Sequence, residues 1–126
     1  MLTSLLLALL FCHFLADFTH LSNAWMLNAK RLGTPALPIL AHASVHATLM
    51  AATLFIFGVK PECVFALTIA QLSSHFAIDV CKGRMNQVFP SLLNPAVKWH
   101  WVVFGFDQFL HTAVIILMVE YAKDYI

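Results

Sequence analysis

Four long apolar runs divide this chain, and each carries one pair of ionisable side chains four residues apart. The pairs are His13 and Asp17, His42 and His46, His75 and Asp79, and Asp107 and His111. Residues four apart lie on one face of a helix, one above the other. A segment this apolar has little reason to carry a charge unless the charge faces inward and meets a partner. The four pairs together therefore predict one polar site walled by four helices.

Composition says what solvent surrounds that site. The chain has 126 residues, of which 61% are hydrophobic and only 10% charged, with a mean hydropathy of +0.83. Soluble domains carry about 25% charged residues, so a chain this apolar cannot cover a water-facing surface and takes lipid as its main solvent. A net charge of +1 gives no case for a nucleic-acid partner, and no Lys/Arg stripe supports one. The cysteines (Cys12, Cys63, Cys81) are odd in number and widely spaced, which fits neither a disulfide framework nor a zinc CxxC site. They read as apolar thiols.

The expected architecture is all-α, an integral membrane bundle of four transmembrane helices forming a single domain, 1–126. The spans are expected at about 2–22, 39–57, 63–81 and 99–121, each near the ~20 residues that cross a bilayer. The first run lacks a basic flank and an Ala-x-Ala cleavage site, and it carries His13 and Asp17, so it reads as a retained span rather than a signal peptide. Residues 23–30 read as a continuation of its helix, with Trp25 at interface level. Asn94 and Pro95 read as the N-cap and first-turn proline of the fourth helix, with Trp99 and Trp101 near its interface. Lys30, Arg31, Lys82, Arg84 and Lys98 fall after the first and third spans, with no acidic residue among them. The positive-inside rule then puts both termini outside the cytoplasm.

Depth is consistent across the four runs. Counted from the outer edge of each span, His13, His46, His75 and His111 all lie roughly 18 Å deep in a ~30 Å core, at 1.5 Å per residue. Asp17, His42, Asp79 and Asp107 form a second layer one turn nearer the cytoplasm. The inverted order of Asp107 and His111 is what a span running outward requires. His20 and His100 continue the stripes inward, where an interfacial histidine is the simpler reading.

Three carboxylates at one level must share protons or be neutralised by cations. Histidine and aspartate together suit Zn, Mn or Fe, and the eight groups (His13, Asp17, His42, His46, His75, Asp79, Asp107, His111) could hold one or two divalent transition-metal ions. An ion with an open position lowers the pKa of bound water, and Asp17, Asp79 or Asp107 would serve as general base. Gln71, Ser74, Gln108 and Thr112 stand near the stripes as hydrogen-bond partners for ligands. Lys82 and Arg84 are placed to meet anionic headgroups. The expected activity is hydrolysis of a lipid or lipid-linked substrate. Two other classes remain open: a divalent-cation or proton transporter, and a structural or partner-binding subunit with a hydrogen-bonded polar core. Against transport, the outer part of each span offers few polar residues beyond Thr68 and Gln71.

With these residues in view, the chain resembles a bacterial membrane family known as domain of unknown function 3307. The matching pieces are His13-Phe14-Leu15-Ala16-Asp17-Phe18 with the downstream Lys30, His42-x-x-x-His46, His75-Phe76-x-Ile78-Asp79-x-x-Lys82, and Asp107-Gln108-x-x-His111. Where this chain has His20, glutamine is usual in that family. The resemblance implies a multi-span protein of the bacterial inner membrane and supplies no reaction. A looser similarity, to small integral-membrane metal-dependent hydrolases, is one of analogy.

Overall fold

The computed structural model describes Met1–Ile126 and is all-helical. Its helices are α1 (Leu2–Phe18), α2 (Ala24–Leu32), α3 (Ala36–Ile56), α4 (Pro61–Val88) and α5 (Lys98–Ala122), with short 3₁₀ turns at Pro90–Leu93 and Lys123–Tyr125. Helices α3, α4 and the stretch Lys98–Tyr125 are long and apolar enough to cross a membrane, and α1 is a shorter apolar helix. Large apolar side chains such as Phe55, Ile56, Phe65, Phe109 and Leu117 point outward, while His42, His46, His75 and Asp79 are buried. That distribution is the reverse of a water-soluble bundle.

The first helix does not continue through residue 30. It stops at Thr19, whose backbone is extended and whose hydroxyl donates to the Leu15 carbonyl. Asn23 then caps a separate helix by accepting from the Met26 N–H at 3.0 Å. Gly33, at φ +70°, closes α2 in the left-handed conformation. Its last carbonyls find partners on α4: Asn86 donates to Arg31 O at 2.9 Å and Gln87 to Leu32 O at 2.7 Å. The nine-residue helix is thus capped at both ends and folded back against the bundle.

Two further expectations change. Helix α4 does not end near Cys81 but runs on to Val88, because Lys82, Arg84, Asn86 and Gln87 are good enough helix formers to extend it beyond the apolar run. Asn94 does not cap α5, which starts three residues beyond Pro95, at Lys98. The Asn94 side chain instead accepts from the Ala96 N–H and holds a local turn.

One end of the bundle is packed by apolar side chains alone. Leu5 and Leu9 of α1, Met50 and Leu54 of α3, Cys63 and Leu67 of α4, and Ile115 and Met118 of α5 belong to one buried cluster. The Lys60 N–H donates to Tyr125 O at 2.9 Å and ties the α3–α4 turn to the 3₁₀ turn after α5. The polar residues sit directly beyond this plug, toward the end that carries α2.

Candidate metal centre

The four helices bring their pairs together. The ring of His75 stacks near those of His46 and His111, at centroid distances of 3.7 and 4.1 Å. His13 closes the layer at 5.0 Å from His46 and 5.3 Å from His111. One helical turn further on, Asp17 Oδ1 lies 3.0 Å from His42 Nε2 and 3.2 Å from His46 Nε2. Asp79 Oδ2 lies 3.3 Å from His75 Nε2 and 3.8 Å from His42 Nε2. His111 Nε2 stands between Asp79 and Asp107, at 3.5 and 3.6 Å. All eight residues singled out from the sequence fall in this one region.

Two sets of ligand atoms are close enough to hold an ion. One is Asp17, His42, His46 and His75; the other is His75, Asp79 and His111. Asp107 and His13 belong to neither. The donor chemistry fits a divalent transition metal, which takes imidazole nitrogen and carboxylate oxygen. A second observation points the same way. His75 Nε2, His111 Nε2 and both carboxylate oxygens of Asp79 are buried and make no well-formed hydrogen bond, although they face one another at 3.3 and 3.5 Å. Such atoms cost about 1–3 kcal/mol each when left unmet, more when charged, and here they converge.

Sequence reasoning missed two participants. Lys30, expected at the end of the continued first helix among the cytoplasmic charges, reaches back from α2 into the inner layer. Its Nζ lies 3.2 Å from Asp17 Oδ1, 3.5 Å from Asp79 Oδ2 and 3.0 Å from His42 Nε2. Burial opposes its charge, but Asp79 and Asp17 outweigh burial and hold the Lys30 pKa above the ordinary lysine value. Lys82, assigned to headgroups, donates to Asp107 Oδ2 at 3.2 Å. The signal was present in part: Lys82 follows Asp79 by three residues and so shares its face. For Lys30 the signal was weaker, since its approach depends on the break at Thr19. Two lysines therefore offset part of the charge of the three carboxylates.

Of the expected hydrogen-bond partners, Gln108 makes the most contacts. Its Oε1 lies 3.2 Å from His13 Nε2, and its amide nitrogen donates to Asp107 at 3.1 Å and Asp17 at 3.4 Å. Gln71 is 3.4 Å from His75 Nδ1. Ser74 only donates to its own helix, at Gln71 O, and Thr112 makes no side-chain hydrogen bond. Ser22, not anticipated, meets His42 Nδ1 at 3.4 Å. His20 is exposed and stands apart from the cluster.

A cavity of about 420 Å³ leads from the inner layer toward α2 and the Pro90–Leu93 turn. Asp17, Asp79 and Asp107 lie at its base, and Lys30, Arg31, Lys82 and His100 along its wall. Removing Lys30 should be costly, because it leaves two buried carboxylates uncompensated. Lys30→Met is expected to destabilise the chelator-treated protein by about 3–5 kcal/mol, read as a lowered melting temperature in detergent. A melting curve that superimposes on wild type would show that the ammonium does not neutralise the site.

Comparison with curated proteins and with solved structures gives no match. A family model does match residues 5–125, nearly the whole chain, and the chain belongs to the family described as Protein of unknown function (DUF3307).

Proposed function

We propose that the chain is a membrane-embedded, metal-dependent hydrolase acting on a lipid or lipid-linked substrate that reaches the site through the cavity beside α2. The observation that carries this reading is the convergence of buried ligand atoms that lack a well-formed hydrogen bond on His75, Asp79 and His111. A hydrogen-bonded polar core, the structural alternative, would pair these atoms at shorter range than the 3.3 and 3.5 Å seen between Asp79 and the two imidazoles. The apolar plug supports hydrolysis over transport: the site communicates with a polar cavity on one side and with packed leucine, methionine and isoleucine on the other.

The residues divide the work. His75, Asp79 and His111, or Asp17, His42, His46 and His75, hold the ion; Zn, Mn and Fe all suit these donors. When bound, the ion supplies Lewis acidity toward the scissile group and acidifies water. Gln71 faces His75 Nδ1, and with its amide oxygen turned to that nitrogen it keeps Nδ1 protonated and Nε2 free to ligate. Asp107 belongs to neither ligand set, lines the cavity and is oriented by Gln108 and Lys82. It is the carboxylate positioned to take a proton from water. Lys30 competes with the ion for the same Asp17 and Asp79 oxygens, so it offsets part of their charge when no ion is bound. In this reading the protein sits in the bacterial inner membrane with its cavity toward the cytoplasm, which the grouping of Lys30, Arg31, Lys82, Arg84 and Lys98 supports.

Elemental mass spectrometry on the detergent-purified chain tests this. About one to two equivalents of a transition metal are expected, with hydrolysis of a panel of lipid esters, amides and phosphoesters that stops on chelation. No bound metal after reconstitution with Zn, Mn and Fe would overturn the reading.

A further inference from the structure

A second hollow lies on the lipid-facing side of α4 and α5 and meets the polar cavity. It measures about 590 Å³ and is walled by Ala77, Cys81 and Met85 of α4 against Val102, Phe106 and Leu110 of α5. It exists because Ala77 and Cys81, one turn apart on the same face of α4, are small where the facing α5 residues are large. Lys82, Val103 and Asp107 line both this groove and the polar cavity. An apolar slot open to lipid and a chamber with cations on its wall therefore adjoin at these three residues, with Lys82 at their border.

We infer that these adjoining hollows together bind a single anionic phospholipid, its hydrocarbon chain in the α4–α5 groove and its phosphate in the polar cavity against Lys82 and Arg31. The inference rests on the hydrolase reading above and names its substrate class. Charge and shape both favour it. The groove is apolar and uninterrupted up to Lys82. That lysine spends one of its three N–H donors on Asp107 and sits 5.0 Å above the Phe104 ring, so it retains donors for an acceptor arriving from the groove. Arg31 also lines the cavity and has no carboxylate within ion-pairing distance, which leaves its guanidinium free for a phosphate. A neutral or cationic head would meet the same two cations without compensation. Lys82 is thus a positioning residue at the junction of tail and head.

Photolabelling tests this on the full chain. The protein is reconstituted into phosphatidylcholine nanodiscs with chelator present, doped with phosphatidic acid carrying a diazirine in its acyl chain, or with phosphatidylcholine carrying the same chain. Adducts are mapped by peptide mass spectrometry. Wild type should show adducts on residues 77–85 and 102–110, favouring phosphatidic acid on the order of tenfold. Lys82→Gln should reduce that preference to near unity while labelling of the groove persists. Ala77→Trp, which fills the slot at an exposed position, should abolish groove labelling by both lipids. Equal labelling of wild type by the two lipids, a preference unchanged in Lys82→Gln, or groove adducts surviving in Ala77→Trp would each overturn the inference. Because no metal and no turnover are needed, a protein that labels as described but holds no metal would refute the hydrolase reading alone. A metal-loaded protein without selective labelling would refute this inference alone.

Discussion

His75→Gln should strip the protein of metal. His75 is common to both sets of ligand atoms, so its loss cannot be bypassed by moving the ion from one set to the other. Glutamine preserves most of the volume, which limits the packing penalty of a truncation in a fully buried position, about 2–5 kcal/mol for large-to-small changes. Losing a hydrogen-bond partner of a ligand already costs 10- to 100-fold in metal affinity, and losing the ligand itself should cost at least about 100-fold. Metal content is expected to fall below about a tenth of an equivalent. Asp79→Asn, which keeps the shape and removes the charge, should empty the set it shares with His75 and His111 and spare the set of Asp17, His42, His46 and His75. His100→Gln is the control: the residue lines the cavity but belongs to neither set, so its metal content should match wild type. If His75→Gln and Asp79→Asn both retain full metal, the ion is held elsewhere.

Gly83→Ala should be the most destabilising single methyl in the chain. A Cβ at position 83 would fall inside the contact radius of the Gly33 amide nitrogen and 2.6 Å from the Lys30 carbonyl oxygen. These are backbone atoms at the end of α2, and they can yield only if α2 moves away from α4. Such overpacking costs about 3 kcal/mol or more, which corresponds to a drop in melting temperature on the order of 10 °C. The displacement would also withdraw Lys30 from Asp17 and Asp79. Gly105→Ala supplies the comparison. Its Cβ would meet nothing within 4 Å, and alanine is better than glycine in a helix by up to ~1 kcal/mol, so it should melt at or slightly above wild type. Melting curves of the two variants that coincide would mean α2 is not clasped to α4 through Gly33 and Gly83.

The grouping of the eight polar residues was legible because two regularities reinforce each other. The four-residue spacing fixes a face of each helix, and the equal depth of His13, His46, His75 and His111 fixes a common level. Both follow from rise per residue and need no knowledge of packing. What was hidden depends on contacts between segments. Gly83 reads as a helix terminator beside Lys82 and Arg84, yet it lies inside α4 and serves a close approach by Gly33. Lys30 reads as a cytoplasmic charge, yet the turn at Thr19–Asn23 folds it back beside the carboxylates. The break itself had a local signal in Asn23, a good helix N-cap three residues before Met26. Asn86 and Gln87 look like loop polarity, but they cap α2 from a neighbouring helix. Hydropathy reports where lipid ends and is silent about which polar groups beyond that boundary meet one another.

The packed apolar end of the bundle also shapes how the site responds to its surroundings. A membrane voltage falls across the region of low dielectric constant, and here that region is the plug between Leu5 and Leu67 rather than the polar cavity. An ion or proton entering from the cavity crosses little of that field. Occupancy should then follow the metal supply and acidity of the single compartment the cavity faces, and be nearly indifferent to whether the membrane is energised.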